Sequence, residues 1–174
     1  GLGIAPQKIK EILGVTKAYC TRVGSGPFPT ELHDETGELL RKTGSEFGAT
    51  TGRPRRCGWM DAVALQFACM INGVTKIVMT KADVLDNLET LQVCDLYNVD
   101  GKDVDEIPFQ MFRMQIEPKY KSFEGWKTDI TQIKNFNELP SQMKSYINYL
   151  NDTLKIPVKY ISNGPGSDQL IVAS

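Results

Sequence analysis

The segment 50–56 (TTGRPRR) concentrates side chains that could bind an anionic ligand. Its guanidinium groups, on Arg53, Arg55 and Arg56, stay charged at physiological pH and form paired hydrogen bonds with carboxylates and phosphates. A cluster of charges is also typical of a solvated surface. Here Pro54 restricts the backbone and hydroxyl groups flank the arginines, so the pattern favours a loop that binds a carboxylate or a phosphate.

A lysine and an acid follow the apolar run 77–80 (IVMT), which is typical of a buried strand. The carboxylate of Asp83 could accept hydrogen bonds from both edge donors of guanine, N1–H and the 2-amino group. The stem of Lys81 could lie along the base. The spacing Lys-x-Asp is also common in exposed turns that hold an ordinary ion pair. Its position at a strand end favours a site that recognises a purine base.

Two further loops could contribute to such a site. The segment 24–29 (GSGPFP) lacks the glycine spacing of a dinucleotide fingerprint and the Gly-Lys-Ser/Thr of a phosphate loop. It could form the wall of a substrate site or a rigid connector. The turn 162–165 (SNGP) could close over a purine because glycine lets the main chain approach a ligand. His33 has no nearby serine, cysteine or paired acid that would make it a base, so we assign it no role.

Composition limits the classes of function. The chain has 174 residues, of which 41% are hydrophobic and 24% charged, as in globular proteins. Its net charge of −1 predicts no bulk attraction to nucleic acid or to an anionic membrane. No apolar run approaches the roughly 20 residues that span a bilayer. We expect a cytoplasmic protein, and the start at Gly1 without methionine predicts a piece of a longer gene product.

The cysteines do not form a metal-binding pattern. The chain has four of them and one histidine, without a Cys-x-x-Cys pair, so we predict no zinc site. We expect reduced thiols.

The order of the elements predicts an α/β fold. We predict a short helix at 7–13, a strand at 15–23, a helix at 31–47 that Thr30 caps, and a helix at 59–71 that is packed on several sides and stopped by Gly73. The buried strand before Lys81 follows. Alternation of strands and helices favours a mostly parallel sheet with crossover helices, in which ligands bind beyond the carboxyl ends of the strands.

The pattern changes after residue 90. We predict an antiparallel hairpin from strand 91–97, turn 98–101 and Val104, then an irregular stretch at 108–136. Apolar residues from Leu139 to Leu154 recur at helical spacing. Two closing strands are predicted at 158–161 and 170–172. The expected division is a sheet and substrate-loop part at 1–90 and a part at 91–174 that holds the hairpin subdomain, the helix and the closing strands.

Several segments, in order along the chain, resemble the adenylosuccinate synthetase family. They are 21–32 (TRVGSGPFPTEL), 50–59 (TTGRPRRCGW), 80–86 (TKADVLD), 125–126 (GW) and 161–165 (ISNGP). The resemblance covers essentially the whole chain as the carboxy-terminal two fifths of the enzyme. It implies a P-loop-NTPase-like ligase fold.

The resemblance also implies a reaction. In this family GTP phosphorylates the 6-oxygen of inosine monophosphate (IMP), and the amino group of L-aspartate then displaces phosphate to give adenylosuccinate. Magnesium and a homodimer are implied as well. Arg53 and Arg55 would offset the charge that develops during phosphoryl transfer.

The resemblance assigns roles to three groups of residues. The family's aspartate-binding loop is matched by Ala49, Thr50, Thr51, Gly52, Arg53, Pro54 and Arg55. The resemblance also implies that Arg53 reaches IMP and that Arg55 reaches GTP. Val23 and Gly24 resemble the wall beside the nucleotide ribose. The family's guanine-recognition segment is matched by Lys81, Ala82 and Asp83. The turn that closes on the base is matched by Ser162, Asn163 and Gly164.

Two departures and one gap qualify the resemblance. Ala49 and Asn163 stand where threonine is common in the family. The phosphate loop, the catalytic aspartate and the magnesium ligands of the family belong to its amino-terminal part, so we predict no metal site and no turnover for the 174 residues alone. A free-standing guanine-nucleotide binding module is the alternative. An RNA-binding piece that uses the arginines is disfavoured by the net charge.

Overall fold

The computed structural model describes residues 3–173. In this part of the chain, α-helices separate groups of two to four consecutive strands. The helices are α1 (Glu35–Thr43), α2 (Ala62–Asn72) and α3 (Ser141–Leu154). The strands are β1 (Leu13–Lys17), β2 (Cys20–Arg22), β3 (Arg56–Gly58), β4 (Met60–Asp61), β5 (Lys76–Thr80), β6 (Thr90–Val99), β7 (Lys102–Val104), β8 (Ile116–Glu124), β9 (Val158–Ser162) and β10 (Leu170–Val172).

The main sheet has the strand order β1-β5-β9-β10. Strands β1, β5 and β9 are parallel, and β10 is antiparallel to β9. Strand β5 lies at the centre and alternates half-buried and buried residues, with Ile77 and Met79 in the core. The predicted parallel sheet is confirmed. Because β9 and β10 complete this sheet, the two stretches divided at residue 90 share it, and that division stays a prediction.

A second sheet is built on the long strand β6. Strand β8 pairs along its whole length, while β4 and β7 pair with opposite ends of its other edge. The hairpin β6–β7, with its turn at Gly101, is confirmed. The irregular stretch predicted at 108–136 is wrong because it contains β8. Pro118 and the charged residues of β8 hide the strand pattern, and an edge strand tolerates both.

Helix α3 fills the space between the two sheets. Its buried face consists of Met143, Tyr146, Ile147, Leu150 and Leu154, as predicted. The hydroxyl of Tyr146 donates to the carbonyl of Ala18 at 3.0 Å and ties the helix to the chain just after β1. Burial of such a face contributes on the order of 1.5–3 kcal/mol per large side chain.

Three predicted helices differ from the structure. The helix predicted at 7–13 is wrong, because only a single 3-10 turn at Pro6–Lys8 is present and Leu13 already pairs with β5. The helix predicted at 31–47 begins later, where the Asp34 side chain accepts the N–H of Gly37 at 3.0 Å. Thr30 is therefore not its cap. It is fully buried, and its carbonyl accepts the N–H of Trp59 at 3.1 Å.

Helix α2 also begins later than predicted, because the carboxylate of Asp61 caps it through the N–H of Ala64. Gly73 ends it with a left-handed φ of 61°, as predicted. The expected packing on several sides is wrong. Phe67, Met70 and Ile71 are 42%, 68% and 62% exposed, since β6 and α3 cover the opposite face of the helix.

Residues 3–173 include no helix that is both long and apolar enough to cross a membrane.

Candidate functional site

The arginine segment forms a tight hairpin-like loop after α1. Its base is closed by the N–H of Arg55 donating to the carbonyl of Glu46 at 2.9 Å and by the N–H of Gly48 donating to the carbonyl of Arg53 at 2.8 Å. The N–H of Gly52 donates across the tip to the carbonyl of Gly48 at 2.8 Å, and Gly52 has a φ of 63°, which favours glycine. The tip, 49–52, is exposed, so its hydroxyl and backbone groups can reach a ligand.

The three arginines of this loop have different environments. Arg56 forms an ion pair with Glu31 and donates to the carbonyls of Gly24 and Gly26 at 2.8 Å. It therefore holds the segment 24–29 in place. Arg55 donates to Glu46 at 2.8 Å and stays 33% exposed. Arg53 is exposed, and no residue between positions 3 and 173 pairs with its guanidinium group.

The loop faces the segment that was predicted to form the ribose wall. Together they enclose an open cleft of about 550 Å³. Its walls include Val23, Gly24, Thr51, Arg53 and Arg55. The cleft thus brings together residues from the two groups that the resemblance assigns to IMP and aspartate. Ala49, Thr50 and Gly52 lie at the exposed tip and do not line it.

The segment 81–83, predicted to recognise guanine, begins directly after β5. Lys81 adopts a left-handed conformation with a φ of 58°, and a 3-10 turn at Ala82–Leu85 follows. The ammonium group of Lys81 donates to the carbonyl of Gly44 at 2.5 Å and to Glu46 at 2.9 Å. Its stem is therefore held across the end of the sheet, while 36% of the side chain remains exposed.

Asp83 is half-buried within that 3-10 turn. Burial raises the pKa of its carboxyl group; the backbone N–H of Asp83 itself and the charge of Lys81 oppose this shift, and the charge of Asp129 adds to it. In the part of the chain that the structure describes, no other residue donates a hydrogen bond to this carboxylate. Its acceptor capacity is therefore available to a ligand.

The turn after β9 lies beside this segment, because β9 and β5 are parallel neighbours with Met79 in register with Ile161. The hydroxyl of Ser162 donates to the carbonyl of Gly164 at 2.9 Å and closes the turn. The side chain of Asn163 is fully buried and donates to the carbonyls of Ile130 and Ile133. Asn163 thus fixes the turn to the preceding loop and directs its amide away from solvent.

Asp86, a buried acid, stabilises the loop next to the predicted guanine site. The carboxylate of Asp86 accepts the indole N–H of Trp126 at 2.7 Å and the backbone N–H of Ile130 at 3.1 Å. Burial raises the pKa of Asp86 to about 6. These bonds fix the loop that contains Asp129 close to Asp83.

The sequence analysis missed the residue that joins the two predicted sites. Glu46 has a fully buried side chain and accepts hydrogen bonds from Lys17 at 2.8 Å, Tyr19 at 2.6 Å, Lys81 at 2.9 Å and Arg55 at 2.8 Å. Burial alone would raise the pKa of Glu46, but these four donors outweigh it and lower the pKa to about 2. The signal in the sequence is a single acid between two glycines, directly before the arginine loop.

Arg55 and Lys81 therefore meet on one carboxylate. The predicted aspartate loop and the predicted guanine-recognition segment are thus linked through Glu46, next to the carboxyl ends of β1 and β5. Among residues 3–173, no group of three or more His, Cys, Asp and Glu side chains is arranged to hold a metal ion.

Comparison with known proteins places this geometry in a family. The family model for adenylosuccinate synthetase matches residues 1–171. The adenylosuccinate synthetase of Flavobacterium johnsoniae is 50% identical over 171 residues, which cover 98% of this chain and 40% of that protein. The enzyme of Azobacteroides pseudotrichonymphae is 51% identical over 172 residues, or 99% of this chain and 41% of that protein.

A solved structure agrees with these relatives. Fully ligated adenylosuccinate synthetase from Plasmodium falciparum superposes with a TM-score of 0.94 at 40% identity, over 100% of this chain and 42% of that one. The chain thus spans about two fifths of the length of the proteins it matches. With the motifs, the α/β fold and these similarities in agreement, the chain belongs to the adenylosuccinate synthetase family.

Proposed function

We propose that the chain is the part of a GTP-dependent ligase that binds L-aspartate, IMP and the guanine base of GTP. The ligase joins IMP and L-aspartate to form adenylosuccinate. The observation that carries the proposal is that Arg53, Val23 and Gly24 line one cleft, and that Arg55, which also lines it, shares the carboxylate of Glu46 with Lys81. Similarity to enzymes of this name over nearly the whole chain supports it.

The arginine loop is proposed to hold the amino-acid substrate. The unpaired guanidinium of Arg53 can form two parallel hydrogen bonds with a carboxylate of aspartate, and the exposed groups of Thr50, Thr51 and Gly52 add polar contacts. Arg53 also reaches IMP in this proposal, whose ribose lies against Val23 and Gly24. Arg55 supports the developing charge during phosphoryl transfer and reaches GTP.

The end of β5 is proposed to recognise guanine. Asp83 accepts both edge donors of the base, Lys81 lies along it, and Ala82 contributes the tight turn between them. The turn Ser162–Gly164 forms the opposite wall, where Asn163 acts through the shape of the turn because its side chain bonds the protein interior. Adenine lacks the two edge donors, so this arrangement discriminates against ATP.

Magnesium is proposed as a partner of the phosphates and not of this segment. The side chains of residues 3–173 do not form a set of ligands for a resident metal ion. We propose that the magnesium ligands and the phosphate loop belong to the remaining three fifths of the family's length. A cytoplasmic homodimer is proposed on the same family grounds.

The proposal is tested with the protein at the length of its relatives, hereafter the full-length protein. Purified full-length protein is expected to form adenylosuccinate from GTP, IMP and L-aspartate, and omission of any one substrate should abolish the product. ATP in place of GTP is the matched control and should not support turnover. The 174 residues alone are expected to form none, and turnover by this piece would refute the division of labour.

A guanine-nucleotide binding module without catalysis remains the second candidate, because the guanine segment is formed within these residues. Saturable GTP binding by full-length protein that makes no adenylosuccinate would select it.

A further inference from the structure

We infer that Glu46 is a positioning residue that sets the aspartate loop and the guanine-recognition segment in register with each other. The inference rests on the proposed function, since it concerns how the two proposed sites are held. One oxygen of the carboxylate accepts Lys17, Tyr19 and Lys81, and the other accepts Arg55. A displacement of this single group would therefore move both sites together.

The burial of these groups separates the anchor from the side chains it orients. The Glu46 side chain has no exposed surface, so it does not itself meet a ligand. Lys17, Arg55 and Lys81 remain 25%, 33% and 36% exposed while they are tethered to it. Such partial exposure leaves each cation able to contact a ligand, but removes much of its freedom before the ligand arrives.

The balance of charge supports the same conclusion. Three cations share one carboxylate, so the cluster keeps a surplus of positive charge at the surface. Burial of a charge costs desolvation energy, and the three cations limit this cost because each keeps part of its surface exposed to solvent. A surplus is useful where an anionic substrate completes the cluster.

The backbone of the loop does not depend on the Glu46 side chain. The carbonyl of Glu46 accepts the N–H of Arg55, and the pairing of Gly48 with Arg53 extends the same base. Replacement of the carboxylate by an amide of the same shape therefore keeps the internal hydrogen bonds of the loop, but weakens the bond through which Arg55 fixes the loop relative to Lys81. Glu46→Gln in the full-length protein is the variant that isolates the positioning role.

The expected pattern lies in the Michaelis constants. Loss of a charged hydrogen-bond partner costs about tenfold or more in binding, so we expect the KM values for GTP and for L-aspartate to rise together by about tenfold. The KM for IMP should stay within about twofold, because the segment proposed to flank its ribose is held by Arg56, which donates to the carbonyls of Gly24 and Gly26 and not to Glu46. Glu11→Gln removes an exposed ion pair with Lys76 at the amino end of β5, the end of the strand opposite to Lys81, and is the control for loss of a surface charge.

Each outcome of the steady-state measurement decides the question. Joint increases in the two KM values, with an unchanged KM for IMP, support the inference. A lower kcat with unchanged KM values indicates a smaller active fraction, and therefore a merely structural role, which overturns it. An increase for GTP alone also overturns it. If the unsubstituted protein gives no product, the proposed function fails first and the inference falls with it.

If Glu46→Gln does not fold, Glu46→Asp takes its place. It keeps the charge but withdraws the carboxylate by one methylene group. The same joint pattern at about threefold supports the inference, and KM values equal to those of the unsubstituted protein overturn it.

Discussion

Asp83→Asn is the sharpest perturbation of the proposed guanine site. The substitution replaces one carboxylate oxygen by an amide nitrogen, which then faces the donors of guanine with a donor of its own. The carboxylate is half-buried, so water screens its hydrogen bonds to the ligand only in part. No other described residue donates to it, so no other protein group competes for these bonds. We expect a loss of about 2 kcal/mol, which is about thirtyfold in kcat/KM for GTP.

The same substitution should stabilise the ligand-free protein. Burial raises the pKa of the Asp83 carboxyl group, so the folded state favours its neutral form more than the unfolded state does. That contribution to stability is present at pH values below the unfolded pKa and is lost as the pH rises through the folded pKa. At pH 7 the charged carboxylate therefore opposes folding, and the neutral amide should raise the Tm.

The assay combines kinetics, thermal unfolding and a second nucleotide, all on the full-length protein. Xanthosine triphosphate carries an oxygen where guanine carries its 2-amino group, so it can accept the new amide donor. The variant should lose GTP-dependent turnover, recover it with xanthosine triphosphate and unfold at a higher temperature. A KM for GTP within about twofold of the original, or a lower Tm with no recovery, would show that Asp83 does not recognise the base.

The remaining predictions concern the loops and the anchor. Arg53→Ala should raise the KM values for L-aspartate and IMP by about tenfold or more, with an unchanged KM for GTP, in initial-rate measurements. Arg56→Ala should release the segment 24–29, which limited proteolysis would detect as faster cleavage there; equal cleavage would contradict its structural role. Glu46 has its pKa lowered from 4.5 to about 2, so its charge stabilises the fold by about 3 kcal/mol above pH 4.5 and this is lost as the pH falls to about 2. Acid titrations followed by circular dichroism should show a smaller pH dependence for Glu46→Gln, and an unchanged curve would contradict that reasoning.

Local patterns predicted the central sheet and α3 because their residues alternate or recur with one clear period. Strand β5 has buried Ile77 and Met79 between less buried neighbours, and α3 has a continuous apolar face. The end of α2 was also predictable, since Gly73 adopts the left-handed conformation that favours glycine. In these elements the local signal and the tertiary contacts agree.

Other elements depend on contacts that a local pattern does not contain. Strand β8 contains charged residues and Pro118, which do not favour a strand. It is extended because it pairs with β6 along almost the whole of that strand. The segment before β1 has helical composition, but Leu13 and Gly14 are recruited by parallel pairing with β5. Long-range pairing therefore decided both cases against local propensity.

The candidate site was predictable where a side chain acts alone and hidden where several act together. Arg53 and Asp83 have no partner among the described side chains. The chemistry of a guanidinium and of a carboxylate therefore indicated a ligand-binding role from the sequence alone. The donors to Glu46 lie 9 to 35 residues away in the sequence. The residues adjacent to Glu46 therefore do not indicate which groups it bonds.

The pKa values of Glu46 and Asp83, which both lie at this end of the sheet, are shifted in opposite directions. The contrast suits the different roles that we propose for the two carboxylates. Four donors of the protein satisfy Glu46 and hold its pKa at about 2. Burial without comparable donors raises the pKa of Asp83. A carboxylate that the fold has already satisfied can only orient its partners, whereas an unsatisfied one gains most from a ligand that brings its own donors. We therefore propose that Glu46 positions its partners and that Asp83 recognises the base, with Lys81, which bonds Glu46 and precedes Asp83 by two residues, as the link between them.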